Sequence, residues 1–124
     1  MRKEDYRDYA THMFRIYAAW GCRDADAVRT ILGTDLDKRH EPMLSDIAIV
    51  NAYLELCRKN GKKHIADAVS AVYFAQPKRT LRRGDISARA LRFALDYHIS
   101  EKQVYAWLRE ARRAVAGAKG LDVD

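Results

Sequence analysis

Six side chains that lie close together near the end of the chain have the chemistry that reads base pairs in the major groove of DNA. They are Glu101, Lys102, Gln103, Tyr105, Ala106 and Arg109. Glutamine can pair with adenine and lysine with guanine, and each good contact contributes about 1–3 kcal/mol of discrimination between bases. At helical spacing these side chains occupy the face that an apolar stripe leaves free, and Tyr105 is expected to face away from that stripe. The stripe consists of Val104, Trp107, Leu108, Ala111 and Val115.

Six basic residues nearby have the chemistry that holds the phosphate backbone of DNA. They are Lys78, Arg79, Arg82, Arg83, Arg89 and Arg112. Four of them lie in a loop, residues 77–85, directly before the first helix of the motif, where flanking basic residues commonly contact phosphate. Each such contact adds affinity that does not depend on the base sequence. The alternative interpretation is an ordinary solvated basic loop.

The distribution of charge along the chain favours the same polyanionic partner. The sequence contains 23 Lys and Arg residues against 17 Asp and Glu residues, a net charge of +6. Residues 1–61 are balanced, with 10 basic and 10 acidic side chains, whereas residues 62–124 hold 13 basic and 7 acidic ones. The whole excess therefore lies in the second half, which indicates nucleic acid as the first candidate partner.

Two helical periodicities with a short break between them lie within residues 93–108. The first helix turns three side chains inward, namely Phe93, Ala94 and Tyr97. The small Ala94 allows the next helix to cross close above it, and Ile99 in the break is expected to plug the space between the two helices. A helix, a tight turn with an apolar plug and a second helix with a polar face predict a helix-turn-helix over about 87–116.

The break itself carries two local signals. Ser100 and Gln103 have the S-x-x-Q spacing of a capping box, so the second helix is expected to begin there. His98 occupies the turn position that requires a positive φ, where histidine is one of the few non-glycine residues enriched. His98 is interpreted as a turn residue rather than a ligand or catalytic group, since the sequence shows no partner for it.

The rest of the chain is also predicted to be helical. No segment shows sustained period-two alternation, and the 6 Gly and 2 Pro residues are too few for an all-β fold. The expected fold is an all-α, bundle-like domain of five or six helices with a C-terminal helix-turn-helix. It forms a single domain over 1–124, with a helical support region at 1–61 and a basic helix-turn-helix region at 62–124. The predicted helices are 4–20, a short helix capped by Asp24 and stopped by Gly33, one from Pro42 or Ser45 to Asn60, 65–75, 87–97 and 101–116.

Helical spacing also predicts which apolar side chains are buried. The first helix, 4–20, has an aromatic-rich stripe that either packs onto the following helices or forms a dimer interface. Ile31 is expected to face inward on the short second helix. Cys22 and Cys57 are 35 residues apart and are interpreted as small buried hydrophobic residues.

The segment 93–108 resembles the helix-turn-helix of many bacterial regulators. The matching residues are Phe93, Ala94, Tyr97, Ile99, Ser100, Glu101, Val104, Tyr105, Trp107 and Leu108. One departure is His98, where those regulators usually have glycine. More loosely, residues 45–118 resemble region 4 of sigma factors, and resemble still more the small ArpU/RinA-type regulators of late transcription in phages of Gram-positive bacteria. The resemblance implies sequence-specific binding of double-stranded DNA that controls transcription in a phage or mobile element, beside RNA polymerase.

A helix-turn-helix is compatible with other functions. The main alternative is a protein-interaction module that docks RNA polymerase or phage machinery and binds DNA weakly or not at all. A small terminase-like packaging subunit shares the motif, but it usually needs a ring-forming segment that the sequence does not show. A second copy of the chain is a further candidate partner, because a homodimer suits a regulator that reads paired half-sites.

Composition and spacing argue against several other classes of protein. The 4 histidines and 2 cysteines lack metal-ligand spacing, and the sequence has no glycine-rich phosphate loop and no paired-carboxylate signature. We therefore expect no metal, no cofactor and no enzymatic activity. No apolar run approaches the roughly 20 residues that span a bilayer, and the first residues are charged. These features predict a cytoplasmic protein without a membrane partner.

Overall fold

A computed structural model describes residues 5–123, and this part of the chain contains six α-helices and no β-strand. The helices are α1 (Asp5–Ala19), α2 (Ala25–Leu32), α3 (Glu41–Lys59), α4 (Lys63–Tyr73), α5 (Asp85–Tyr97) and α6 (Glu101–Lys119). Two 3₁₀ turns, Gly33–Asp35 and Lys38–His40, connect α2 to α3. The prediction of an all-α, bundle-like fold is confirmed. Glu4, the predicted first residue of the first helix, lies outside the described residues, as do the two ends of the predicted 1–124 domain.

Several helices begin and end at the local signals in the sequence. The Asp24 side chain accepts a hydrogen bond of 2.8 Å from the Ala27 amide, and Gly33 follows the last residue of α2. Pro42 lies in the first turn of α3, where its missing N–H removes no helical hydrogen bond. The α4 helix lies two residues earlier than predicted, and α6 continues three residues beyond its predicted end.

The α6 helix packs against four other helices, α1, α3, α4 and α5. Its inner face is fully buried and consists of Val104, Leu108, Ala111 and Val115. Elsewhere in the core, Phe14 of α1 stacks on Tyr73 of α4 with ring centroids 5.2 Å apart. Nearly all buried apolar residues belong to one cluster, which includes residues from both halves of the chain.

A buried carboxylate connects three of these helices. Asp46 of α3 is only 2% exposed, and its Oδ1 lies 2.8 Å from the Nζ of Lys119 at the end of α6. The hydroxyl of Tyr9 in α1 donates to the same carboxylate at 3.1 Å. Partial burial and the neighbouring Asp46 raise the pKa of Tyr9. No pattern in the sequence predicts these contacts, which join residues 37 and 73 positions apart.

The aromatic stripe of α1 packs within the chain. Tyr6, Met13 and Tyr17 are buried in the common core, and the Tyr17 hydroxyl donates to the Asn51 side chain of α3 at 2.9 Å. Of the two interpretations of this stripe, packing onto the helices that follow is the one observed.

Three predicted burials are wrong, although burial of Cys57 is confirmed. Ile31 is 53% exposed because α2 packs against α3 alone among the helices, which leaves its other side in solvent. Cys22 is exposed because it lies in the turn after α1, with a positive φ of 58°. Tyr97 is 44% exposed, since its ring stacks on Phe93 and its hydroxyl reaches Asp67 of α4 at the surface instead of entering the core.

Candidate nucleic-acid interface

The turn between α5 and α6 has the geometry that the sequence predicts. His98 has φ 56° and ψ 45°, the left-handed conformation, which ends α5. The amide of Ile99 donates to the carbonyl of Ala94 at 3.0 Å, and Ile99 is partly buried against the core as the predicted plug. The Ser100 hydroxyl accepts from the Gln103 amide at 3.1 Å, so α6 begins with a side-chain cap. The reciprocal bond of a capping box, from the Gln103 side chain back to the Ser100 amide, is not formed among the described residues.

The α4 helix completes a three-helix unit with α5 and α6. Trp107 of α6 lies between the rings of Phe93 and His64, with centroid separations of 6.4 and 4.5 Å. Tyr97 stacks on Phe93 at 4.1 Å, and its hydroxyl donates to Asp67 of α4 at 2.6 Å. That hydrogen bond raises the pKa of Tyr97. The turn and both of its helices are therefore held rigidly against α4.

The outward face of α6 carries three cations in one row. Lys102, Arg109 and Arg113 are exposed and succeed one another along the helix at intervals of seven and four residues. None of the three forms an ion pair with an acidic group in the described range. The row extends for about 16 Å at 1.5 Å per residue. A free row of this length can follow four or five base pairs in a groove that is wide enough to admit a helix.

The predicted base-reading side chains differ in their accessibility. Glu101, Lys102, Gln103 and Arg109 are exposed, whereas Ala106 is half-buried. Tyr105 does not face away from the core, because it is half-buried and packs against it. A residue that follows Val104 is rotated by only about 100° from the inner face, which places it at the border rather than on the opposite side. Sequence reasoning missed Arg113, although its spacing of four from Arg109 was a sufficient signal.

The basic loop, residues 74–84 between α4 and α5, presents a second group of cations. Lys78, Arg82 and Arg83 are exposed and form no ion pair with the acidic groups that the structure describes. Arg79 is different, because its guanidinium lies 3.0 Å from an Asp85 carboxylate oxygen. The Asp85 carboxylate also accepts from the Arg82 amide at 2.7 Å, and this backbone hydrogen bond together with the Arg79 charge lowers the pKa of Asp85.

Two of the predicted phosphate ligands have protein partners instead. Arg89 donates to the carbonyl of Val72 at 2.9 Å, near the end of α4. Arg112 donates to the Tyr73 hydroxyl at 2.7 Å, and its Nε is buried. Both guanidinium groups are half-buried and stabilise the packing of α5 and α6 on α4. Of the six predicted phosphate ligands, therefore, only three have side chains without a hydrogen-bond or ionic partner among the described residues, namely Lys78, Arg82 and Arg83.

No protein-family model, curated protein or solved structure matches this chain. Among residues 5–123 there is also no cluster of three or more His, Cys, Asp or Glu side chains that would hold a metal ion. No helix in the described range is long and apolar enough to span a membrane.

Proposed function

We propose that this chain is a sequence-specific DNA-binding protein, a transcription regulator of phage or mobile-element type that acts in the cytoplasm beside RNA polymerase. The α6 helix enters the major groove of double-stranded DNA with its outward face. The basic loop lies on the phosphate backbone next to the groove. No cofactor or catalytic step is part of this function.

The observation that supports the proposal is the row of Lys102, Arg109 and Arg113 on a capped helix, which forms no ion pair with the part of the chain that the structure describes. The same helix buries its inner face completely, so its outer face is held in a fixed orientation. Most other cations of this half have a partner within the protein, such as Lys62 with Glu110 at 3.4 Å and Arg92 with Asp96 at 3.3 Å. A row without protein partners matches the requirement for groups that pair with bases and phosphates.

The accessible residues divide into two roles under this proposal. Lys102, Gln103 and Arg109 read bases, because they lie in the first half of α6, which reaches deepest into the groove. Lys78, Arg82 and Arg83 hold phosphates, and each contributes about one unit to the slope of log affinity against log salt. Arg113 lies farther along the helix, where a phosphate at the edge of the groove is its expected partner.

The deciding experiment is selection of bound sites from a pool of random duplex DNA, followed by titration of single-base variants of the selected site. Lys102→Ala should change the order of preference among the variants. Arg83→Ala should weaken all variants alike and reduce the salt slope. Lys38→Ala is the matched control, because it removes one exposed positive charge from the balanced half of the chain. Symmetry of the selected site would report a homodimer.

Two results would contradict these roles. If Lys102→Ala weakens every variant equally while Arg83→Ala changes the base preference, the two roles are reversed. If Lys38→Ala weakens binding as much as either variant, net charge and not the surface of α6 and the basic loop determines the affinity.

A second candidate function rests on the apolar side of α5. Leu91 and Leu95 are 44% and 62% exposed and lie one turn apart, which suits a protein-docking surface on RNA polymerase or phage machinery. The salt dependence of binding to mixed-sequence DNA separates the two functions. A DNA-binding protein with several phosphate contacts loses affinity steeply as salt rises, whereas a docking module binds little DNA even at low salt.

A further inference from the structure

The basic loop has an apolar anchor at its start, where the ring of Phe74 lies 5.5 Å from the ring of Tyr17 on α1. Its exposed cations, Lys78, Arg82 and Arg83, are useful for phosphate binding only if the backbone holds them in place. Gln76 has a positive φ of 48°, a conformation that an ordinary side chain adopts only under tertiary constraint. Within the loop, the Arg79 Nε donates to the Gln76 Oε1 at 2.9 Å, and contacts from α1 add to this support.

The guanidinium of Arg15, on α1, provides those contacts. Its Nη1 donates to the carbonyls of Tyr73 at 2.9 Å and Ala75 at 2.7 Å. Its Nη2 donates to the carbonyls of Gln76 at 2.8 Å and Arg79 at 2.5 Å. One side chain thus holds the end of α4 and both ends of the turn that follows it.

The chemistry of this contact is specific to arginine. A planar guanidinium presents several donors in a fixed fork, whereas a lysine ammonium cannot reach four carbonyls in these directions. One acceptor is the carbonyl of Tyr73, the last residue of α4, where the helix dipole is negative and favours a cation. Arg15 also lies within electrostatic range of Arg79, Arg89 and Asp85, so it belongs to the charge cluster at the start of α5.

We propose that Arg15 is the positioning residue of the phosphate-binding surface: through its four carbonyl contacts, α1 holds the basic loop in the conformation that presents Lys78, Arg82 and Arg83 to DNA. This inference rests on the proposed DNA-binding function. It assigns a specific role in recognition to the first helix, which lies outside the helix-turn-helix. Arg15 acts on DNA only through the loop.

The test is a double-mutant cycle read out as affinity for mixed-sequence duplex DNA. Arg15→Gln is made in the natural chain and in a chain whose loop carries Lys78→Ala, Arg82→Ala and Arg83→Ala. In the natural chain the substitution should lower affinity about tenfold, because the loop must then be ordered on binding. In the chain that carries the three loop substitutions, Arg15→Gln should change affinity less than about twofold. The cations that an ordered loop presents to DNA are absent from that chain. Arg7→Gln is the matched control on the same helix, and it should leave affinity unchanged in both chains.

Amide hydrogen exchange of the DNA-free protein provides the second readout. Arg15→Gln should accelerate exchange at Arg79, whose amide donates to the Gln76 carbonyl at 3.1 Å, without accelerating exchange at Val104 in α6. Arg15→Lys keeps the positive charge but loses the planar set of guanidinium donors. It should accelerate exchange at Arg79 as much as Arg15→Gln does, because the geometry of the donors and not the charge orders the loop.

Each outcome is decisive. An equal loss of affinity in both chains would overturn the proposal, because Arg15 would then act directly or through the stability of the fold. Unchanged exchange at Arg79 would overturn it as well. If the natural chain binds no DNA at any salt, the proposed function fails and the recognition role of Arg15 fails with it, while the exchange data still report whether Arg15 orders the loop.

Discussion

Removing the positive charge of Lys119 should destabilise the fold far more than removing an ordinary surface lysine. The Nζ of Lys119 lies 2.8 Å from an oxygen of Asp46, whose side chain is 3% exposed. At that distance and an effective dielectric constant of about 20, the attraction is roughly 6 kcal/mol. Desolvation of the buried carboxylate offsets several kcal/mol of this, which leaves a net coupling of about 2 kcal/mol.

Lys119→Met keeps the approximate length of the side chain and leaves Asp46 buried, with the Tyr9 hydroxyl as its remaining side-chain donor within residues 5–123. We expect it to lower the free energy of unfolding by about 2–3 kcal/mol, a large part of the roughly 10 kcal/mol typical of a domain of this size. Asp46→Asn should lower the free energy of unfolding by less, about 1–2 kcal/mol, because it removes the buried charge and allows Lys119 to turn toward water. The double variant should then be only slightly less stable than Asp46→Asn alone.

Urea denaturation followed by circular dichroism measures the four free energies of this cycle. The control is Lys63→Met, because Lys63 also pairs with a carboxylate, Asp67 at 3.1 Å, but is 73% exposed. An exposed pair of this kind contributes about 0.5 kcal/mol or less. A coupling energy between Asp46 and Lys119 below about 0.5 kcal/mol, or equal losses for the two lysines, would refute the reasoning from burial.

Three smaller perturbations test the turn and the loop. His98→Gly should raise the free energy of unfolding in urea by about 0.5–1 kcal/mol. Glycine relieves the strain of the left-handed backbone, and this gain exceeds the loss from the greater entropy of glycine in the unfolded chain. A loss of stability would show that the imidazole makes a stabilising contact. Ser100→Ala should lower the free energy of unfolding by about 1 kcal/mol and accelerate amide exchange in the first turn of α6. Unchanged exchange at Gln103 would mean that the Ser100 cap does not hold that turn. Since the pKa of Asp85 is lowered in the folded protein, its stabilising effect is present above the ordinary carboxyl pKa and is lost as the pH falls through the lower folded value. Stability should therefore decrease on acidification below about pH 4, with a shallower slope for Asp85→Asn, and identical slopes would contradict the assignment.

The sequence was sufficient for the features that depend on a few neighbouring residues. The cap at Ser100, the left-handed His98 and the stop at Gly33 are each set by residues within four positions, so local patterns predict them. The inner face of α6 was also predictable, since a stripe at helical spacing buries one side of a helix wherever that helix packs.

The contacts between distant residues were not predictable in this way. Arg15 reaches carbonyls 58 to 64 positions away, and Lys119 reaches across 74 positions to the N-terminal part of α3. A sequence shows that an arginine is present, but only the packing of helices decides whether its guanidinium meets a carbonyl, a carboxylate or solvent. For the same reason Arg89 and Arg112 looked equivalent to Arg83 in the sequence, although the fold gives the first two internal partners.

The packing of α6 against four helices separates two sets of requirements along a single helix. Its inner residues are committed to four neighbouring helices, while Lys102, Gln103, Arg109 and Arg113 contribute little to those contacts. Under the proposed function, a library randomised at these four outer positions should yield folded proteins with altered operator preferences, without compensating changes in the core. Under the same proposal, a signal that silences the protein would have to mask this face or displace the basic loop, because rotating α6 would require its buried inner face to leave the core.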